Sequence, residues 1–126
     1  MKRVLMADDD PAFVAAVSTV LGAGGWEVTT ALDSMQVMMF ATRTPRPEVI
    51  LLDIDMPGGT GIAALQRLKT SALTSTIPII VISATPDAAM EERVRGLGAR
   101  GFIRKPVEPA RLDGQLREML GLPATE

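Results

Sequence analysis

The stretch Val49-Ile50-Leu51-Leu52-Asp53 is a short aliphatic run that ends in an acid. Its four consecutive branched side chains leave no polar face, which is typical of a strand covered on both sides in a parallel sheet. Similar runs recur along the chain, and the predicted strands are Arg3–Ala7, Glu27–Ala31, Val49–Asp53, Ile77–Ser83 and Gly101–Ile103. An amphipathic segment follows each strand, so the sequence predicts an α/β fold built on a parallel sheet.

Helix signals follow each predicted strand. The first helix begins at Asp10-Pro11, where an N-cap side chain precedes a proline at the first helical position. The others are predicted from Ser34 to Arg43, around Ile62, Leu65 and Leu68, from Thr85-Pro86 to Gly98, and from Glu108-Pro109 onward. Helically spaced methionines are usually core residues, so Met35, Met38 and Met39 are expected to be buried.

The length and composition narrow the possible classes of protein. A chain of 126 residues is the size of one domain, predicted to span residues 1–122 with a short tail at 123–126. No apolar run is long enough to cross a bilayer. The absence of Cys and His excludes thiolate zinc sites and histidine chemistry and favours a cytoplasmic location. A net charge of −2 without a basic block argues against direct nucleic-acid binding.

Polar side chains cluster at the carboxyl ends of four predicted strands. In an open α/β sheet these ends meet at one edge, where ligands bind. The first strand leads into Asp8-Asp9-Asp10, the third ends at Asp53 with Asp55 just beyond, and the fourth and fifth lead to Ser83 and Lys105. The sequence therefore predicts acids, a hydroxyl and an ammonium at one edge of the sheet.

Each of these residues also has an ordinary structural role, such as capping a helix or starting a turn. Taken together they indicate a cation-binding site, because Asp8, Asp9 and Asp53 would repel one another without a cation between them. A few hard oxygen ligands with room for water suit Mg²⁺. Lys105 supplies a positive charge and Ser83 a neutral donor, which completes a site for phosphoryl transfer to a carboxylate.

These residues, in this order, resemble the receiver domains of response regulators, over essentially the whole chain. The acidic pair is similar to Asp8-Asp9, the phosphoacceptor element to Leu52-Asp53-Ile54-Asp55-Met56-Pro57, and the lysine–proline element to Lys105-Pro106. Ser83 and Phe102 stand where the family has a switch hydroxyl and a switch aromatic ring.

The resemblance implies a five-stranded, doubly wound, flavodoxin-like sheet of order 2-1-3-4-5 with five helices. It also implies that Asp53 accepts the phosphoryl group with Lys105 and Ser83 assisting, and that Mg²⁺ binds Asp8, Asp9, Asp53 and the backbone carbonyl of Asp55. A cis Lys105-Pro106 bond is expected on the same ground.

The implied partners are a histidine kinase or histidine phosphotransfer protein and a downstream target or second copy. The downstream target or second copy would bind the surface of the fourth helix, fifth strand and fifth helix. Four charged side chains of this surface are expected to exchange ion-pair partners there: Glu91, Arg95, Arg104 and Arg117.

Two alternatives remain open from the sequence. Asp53-Ile54-Asp55 also fits the acid-x-acid element of haloacid-dehalogenase-type phosphatases, although there the element follows an early strand and the fold is larger. The second alternative is a receiver-like module that acts through protein contact without phosphorylation. The complete acidic cluster argues against the second.

Overall fold

The computed structural model describes residues 2–56, 61–84 and 87–123. Strands and helices alternate as predicted. In chain order they are β1 (Lys2–Ala7), α1 (Pro11–Ala23), β2 (Trp26–Ala31), α2 (Ser34–Thr42), β3 (Val49–Asp53), α3 (Gly61–Thr70), β4 (Ile79–Ser83), α4 (Ala88–Gly96), β5 (Gly101–Arg104) and α5 (Pro109–Leu120). Among the described residues, no helix is both long and apolar enough to span a bilayer.

The strands form one parallel sheet in the order β2-β1-β3-β4-β5. This confirms the predicted doubly wound, flavodoxin-like topology. The chain passes from β1 outward to β2 and then crosses back past β1 to β3, so the strand order reverses at β1. The carboxyl ends of β1, β3, β4 and β5 therefore lie side by side at one edge of the sheet.

The core lies in two layers, one on each face of the sheet. Leu5, Ile50 and Leu52 pack with the helices α2, α3 and α4 on one face. Val4 and Leu51 alternate with them and pack with α1 and α5 on the other. All residues of β3 and β4 are buried, which explains their unbroken apolar sequences.

The second helix buries a different face from the one predicted. Val37 and Ala41 are fully buried, whereas Met35 is 79% exposed and Met39 48% exposed. Met38 packs against the core only in part. The prediction was wrong for Met35 and Met39 because helical spacing alone identifies a face without showing which face meets the sheet.

Several element starts also differ from the prediction, and β1 and β2 each begin one residue earlier, at Lys2 and Trp26. The predicted start of the fourth helix, Thr85-Pro86, lies outside the described residues, and the described helix begins at Ala88 behind the side-chain cap of Asp87. β4 begins at Ile79 rather than Ile77. Pro78 precedes it and has no N–H to donate to a neighbouring strand.

Candidate functional site

Four strands deliver the predicted polar side chains to one edge of the sheet. Asp8 follows β1, Asp53 ends β3, Ser83 ends β4 and Lys105 follows β5. Asp8 and Ser83 are fully buried and Asp53 is 2% exposed. Polar groups this deeply buried need partners, so their contacts define what the site can do.

Three carboxylates form the acidic part of the site. Oxygens of Asp8, Asp9 and Asp53 lie within 4.8 Å of one another, with Asp8 and Asp53 buried and Asp9 exposed. Asp8 also accepts a hydrogen bond of 3.0 Å from the backbone N–H of Asp10. Asp10 itself caps α1 by accepting from Ala12 and Phe13, as predicted.

Lys105 is the cation of the site. Its Nζ donates to Asp8 Oδ2 at 2.9 Å and to Asp53 Oδ2 at 3.3 Å, and lies 4.9 Å from the centroid of the Phe13 ring. Burial lowers the pKa of Lys105, but the hydrogen bond to Asp8 and the charges of Asp53 and Asp8 outweigh it, so the pKa is raised overall. Lys105 is therefore a permanent positive charge at neutral pH. Its bond to Pro106 is cis, as expected.

The environment of Asp53 weakens its acidity. The pKa of Asp53 is raised to about 6, chiefly by burial and also by the charge of Asp8, while the backbone N–H of Asp55 and Lys105 oppose the rise. The N–H of Asp55 donates to Asp53 Oδ1 at 2.9 Å. Because this pKa lies below 7, most of the carboxylate is ionised at neutral pH and available as a nucleophile.

The donor chemistry of the cluster fits Mg²⁺. Three carboxylates and one ammonium leave an excess of two negative charges, which a divalent cation would balance. The ligands are hard oxygens and few, which leaves room for the waters that Mg²⁺ retains. Asp8, Asp9 and Asp53 are the side chains that fit this role.

The Asp55 side chain makes contacts that the sequence did not predict. Its Oδ2 accepts from Ser83 Oγ at 3.5 Å and from the backbone N–H of Ala84 at 3.2 Å. Sequence reasoning assigned this residue only a backbone carbonyl. The contact spans 28 residues, and it follows from the pairing of Asp53 with Ile82 between β3 and β4.

The turn after Asp53 depends on a glycine. The N–H of Gly61 donates to the carbonyl of Ile54 at 3.2 Å, and a Cβ at Gly61 would collide with the Ile54 backbone. Glycine therefore lets α3 begin directly against the residue that follows Asp53.

The expected charged surface on α4, β5 and α5 is present in part. Glu91 lies 3.3 Å from Arg95 and 3.4 Å from Arg104. Arg117 does not belong to it, contrary to the prediction. This residue is 6% exposed. It pairs with Asp113, one turn earlier on α5, at 2.8 Å and donates to the carbonyl of Gly24 at the end of α1.

Phe102 lies on β5 and packs in the core layer beside α2, α3 and α4 with 8% of its surface exposed. It pairs with Val81 in the sheet, two residues before Ser83. The ring is thus already inside the core in this conformation. Its role as a switch residue coupled to Ser83 stays a prediction.

Comparison with known proteins agrees with this site. Residues 4–117 match the family described as the response regulator receiver domain, so the chain belongs to that family. The protein is therefore a receiver domain of the two-component type, and the phosphatase alternative is set aside. Receiver domains are phosphoacceptor switches rather than classical enzymes, and they bind Mg²⁺ at an acidic pocket that corresponds to the cluster of Asp8, Asp9 and Asp53.

Individual relatives agree with the family match. The transcriptional regulatory protein PrrA of Mycobacterium leprae is 36% identical over 94% of this chain and 49% of its own length. The response regulator PleD of Caulobacter vibrioides is 34% identical over 93% of this chain and 26% of its own length. The chain thus spans half or less of these two relatives.

Among solved structures, the chemotaxis response regulator CheY4 of Vibrio cholerae superposes with a TM-score of 0.87 at 28% identity, covering 94% of this chain and 98% of CheY4. The receiver domain of a signal transduction histidine kinase from Syntrophus aciditrophicus superposes with a TM-score of 0.84 at 27% identity, covering 100% of this chain and 96% of that one. The same fold thus occurs in regulators and in kinases.

Proposed function

We propose that Asp53 is the residue that accepts the phosphoryl group. The observation that carries this proposal is the contact of its buried carboxylate with Lys105 on one side and the acids Asp8 and Asp9 on the other. An ionised carboxylate beside a fixed positive charge is suited to attack an electrophilic phosphorus.

In the proposed reaction an oxygen of Asp53 attacks the phosphorus of a phosphohistidine or of a small acyl phosphate. A P–O bond forms to Asp53 as the P–N or P–O bond to the donor breaks, and the donor leaves with the electron pair. Lys105 and Ser83 donate hydrogen bonds to the transferred phosphoryl oxygens. Mg²⁺, when held by Asp8, Asp9, Asp53 and the carbonyl of Asp55, would neutralise charge that develops on those oxygens.

We infer that the donor approaches Asp53 from the side of Lys105. A groove of about 430 Å³ opens beside the site, and its lining combines apolar side chains with the ammonium of Lys105: Asp10, Phe13, Ala84, Lys105, Pro106 and Val107. We infer that a histidine kinase or histidine phosphotransfer protein presents its phosphoryl group along this groove.

The output is proposed to leave through the surface of α4, β5 and α5. Glu91 contacts one arginine on α4 and another on β5, so a shift of either element would change this exposed pairing. Each exposed ion pair contributes little to the free energy of the fold. We therefore expect these pairs to determine which partner binds, and not to set the equilibrium between the unphosphorylated and phosphorylated conformations. The partner is a target protein or a second copy of the chain.

Residue-level mapping tests the acceptor assignment. The protein is incubated with acetyl phosphate and Mg²⁺, and the acyl phosphate is reduced with borohydride, which converts a phosphorylated aspartate to an alcohol. The proposal expects the alcohol at residue 53 and its loss when a chelator removes Mg²⁺. An alcohol at Asp8, Asp9 or Asp55 instead would overturn the assignment.

A further inference from the structure

The Asp55 carboxylate lies within hydrogen-bond distance of two donors at the end of β4, at 3.5 Å from the Ser83 hydroxyl and 3.2 Å from the Ala84 nitrogen. One carboxylate oxygen, Oδ2, accepts from both the Ser83 hydroxyl and the Ala84 N–H. Asp55 is itself exposed, so burial does not force its side chain to seek these partners. The Ser83 side chain, in contrast, is fully buried.

These donors lie next to the proposed acceptor. β3 and β4 are paired up to Asp53 and Ile82, so Ser83 and Ala84 come immediately after the residue opposite Asp53. The N–H of Lys105 donates to the Ser83 carbonyl at 2.8 Å, which anchors this strand end beside the ammonium. A phosphoryl group on Asp53 would therefore face the same two donors.

We propose that Asp55 is a positioning residue whose carboxylate competes with the phosphoryl group for Ser83 and Ala84. The inference rests on the proposed function of Asp53. In the unphosphorylated protein the Asp55 carboxylate accepts from both donors, and the phosphoryl group must displace this carboxylate to reach them. A phosphoryl group carries about 1.5 to 2 negative charges, so it and the Asp55 carboxylate cannot share these donors without repulsion.

Two substitutions separate the charge from the hydrogen bond. Asp55→Asn retains an oxygen that accepts from Ser83 and Ala84 but removes the charge. Asp55→Ala removes both. Each keeps the backbone carbonyl and N–H of residue 55, and the exposure of the side chain favours correct folding of both variants.

Asp33→Asn is the matched control. It removes one negative charge at the same edge of the sheet, and asparagine caps a helix as well as aspartate does. Asp33 caps α2 by accepting from the Gln36 N–H and makes no described contact with Ser83 or Ala84. A general effect of charge would appear in this variant as well.

The experiment measures the rate of labelling by acetyl phosphate at Mg²⁺ saturation for each protein, with the NMR shift of the Ala84 amide recorded alongside. We expect Asp55→Ala to be labelled about two- to tenfold faster than wild type, the range that a net hydrogen bond corresponds to, and Asp55→Asn to fall between them. The Ala84 amide shift should change in the same order. Asp33→Asn should match wild type in both measurements.

Labelling of Asp55→Ala at the wild-type rate or slower, or equal acceleration in Asp33→Asn, would overturn the competition. An Ala84 amide shift that is the same in wild type and Asp55→Ala would do so too. A wild-type protein that takes no label contradicts the proposed function itself, so the two failures are distinct.

Discussion

The ammonium of Lys105 lies 3.3 Å from a carboxylate oxygen of Asp53, across a sequence separation of 52 residues. The contact joins the ends of β5 and β3, which are separated in the sheet by β4. Lys105 therefore acts on Asp53 in two ways. It lowers the pKa of the acid, and it places donors beside any group attached to it.

Replacing Lys105 with methionine should raise the pKa of Asp53 above about 6 and slow labelling by acetyl phosphate by at least about tenfold. The pKa rises because burial and Asp8 are then opposed only by the Asp55 N–H. Carbon-detected NMR titration of the carboxyl and a labelling time course measure the two effects. Arg104→Met removes the neighbouring exposed cation and should change neither. A wild-type rate in Lys105→Met would contradict the role given to Lys105.

Mg²⁺ binding should weaken below about pH 6. The ion needs an ionised Asp53, whose pKa is raised to about 6 by burial, so protons compete with Mg²⁺ below this pH. Calorimetric titration should find the affinity nearly constant above pH 7 and falling by up to about tenfold per pH unit below 6. Asp53→Asn should bind Mg²⁺ more weakly and lose this pH step. A wild-type affinity unchanged from pH 7 to pH 5 would contradict the assignment of Asp53 as a ligand.

Asp53→Asn should stabilise the metal-free protein at pH 7. The folded-state pKa of Asp53, about 6, exceeds the ordinary value of 3.8 for an aspartate, so the native state binds this proton more tightly than the unfolded state does. Native stability from this group is present at low pH and is lost as pH rises from about 4 to about 6. Removing the charge should recover on the order of 1–3 kcal/mol at pH 7.

Urea unfolding in a chelating buffer measures this difference, and Asp10→Asn serves as the control for loss of one charge. The gain should shrink at pH 4, where wild-type Asp53 is protonated. A variant less stable than wild type at pH 7 would mean that the contact with Lys105 outweighs the cost of burying the charge.

Ser83→Ala should still accept the phosphoryl group but lose the response that follows. Without the hydroxyl, the phosphoryl oxygens lose the side-chain donor that would draw residue 83 toward Asp53, and only the Ala84 N–H remains. Phe102 should therefore keep its unphosphorylated environment. NMR shifts of Phe102, Glu91 and Arg104 before and after phosphorylation measure the response. Shifts equal to those of wild type would contradict the coupling between Ser83 and Phe102.

Most of the fold follows from local patterns in the sequence. The buried strands β3 and β4 are apolar up to their last residues, Asp53 and Ser83, and Asp10-Pro11 is both a cap and a helix start in the structure. The site was also predictable, since parallel strands bring Asp8, Asp53, Ser83 and Lys105 to one edge whatever their separation along the chain.

The remaining features depend on contacts that no local pattern encodes. Met35 and Met39 have helical spacing, but the packing of α2 on the sheet decides that Val37 is buried instead. From the sequence Arg117 was expected on the surface, but in the structure it donates hydrogen bonds to Asp113 and to the Gly24 carbonyl. The hydrogen bonds that Asp55 accepts from Ser83 and Ala84 likewise depend on the register of β3 and β4.

Intact-mass measurement after incubation with acetyl phosphate and Mg²⁺ tests the assignment of Asp53 most directly. Wild type should gain about 80 Da, the mass of one phosphoryl group. Asp53→Asn, which keeps the side-chain volume and removes the nucleophile, should gain nothing while remaining folded. Equal mass gain in both proteins would contradict Asp53 as the acceptor, and no gain in wild type would contradict phosphorylation of this receiver.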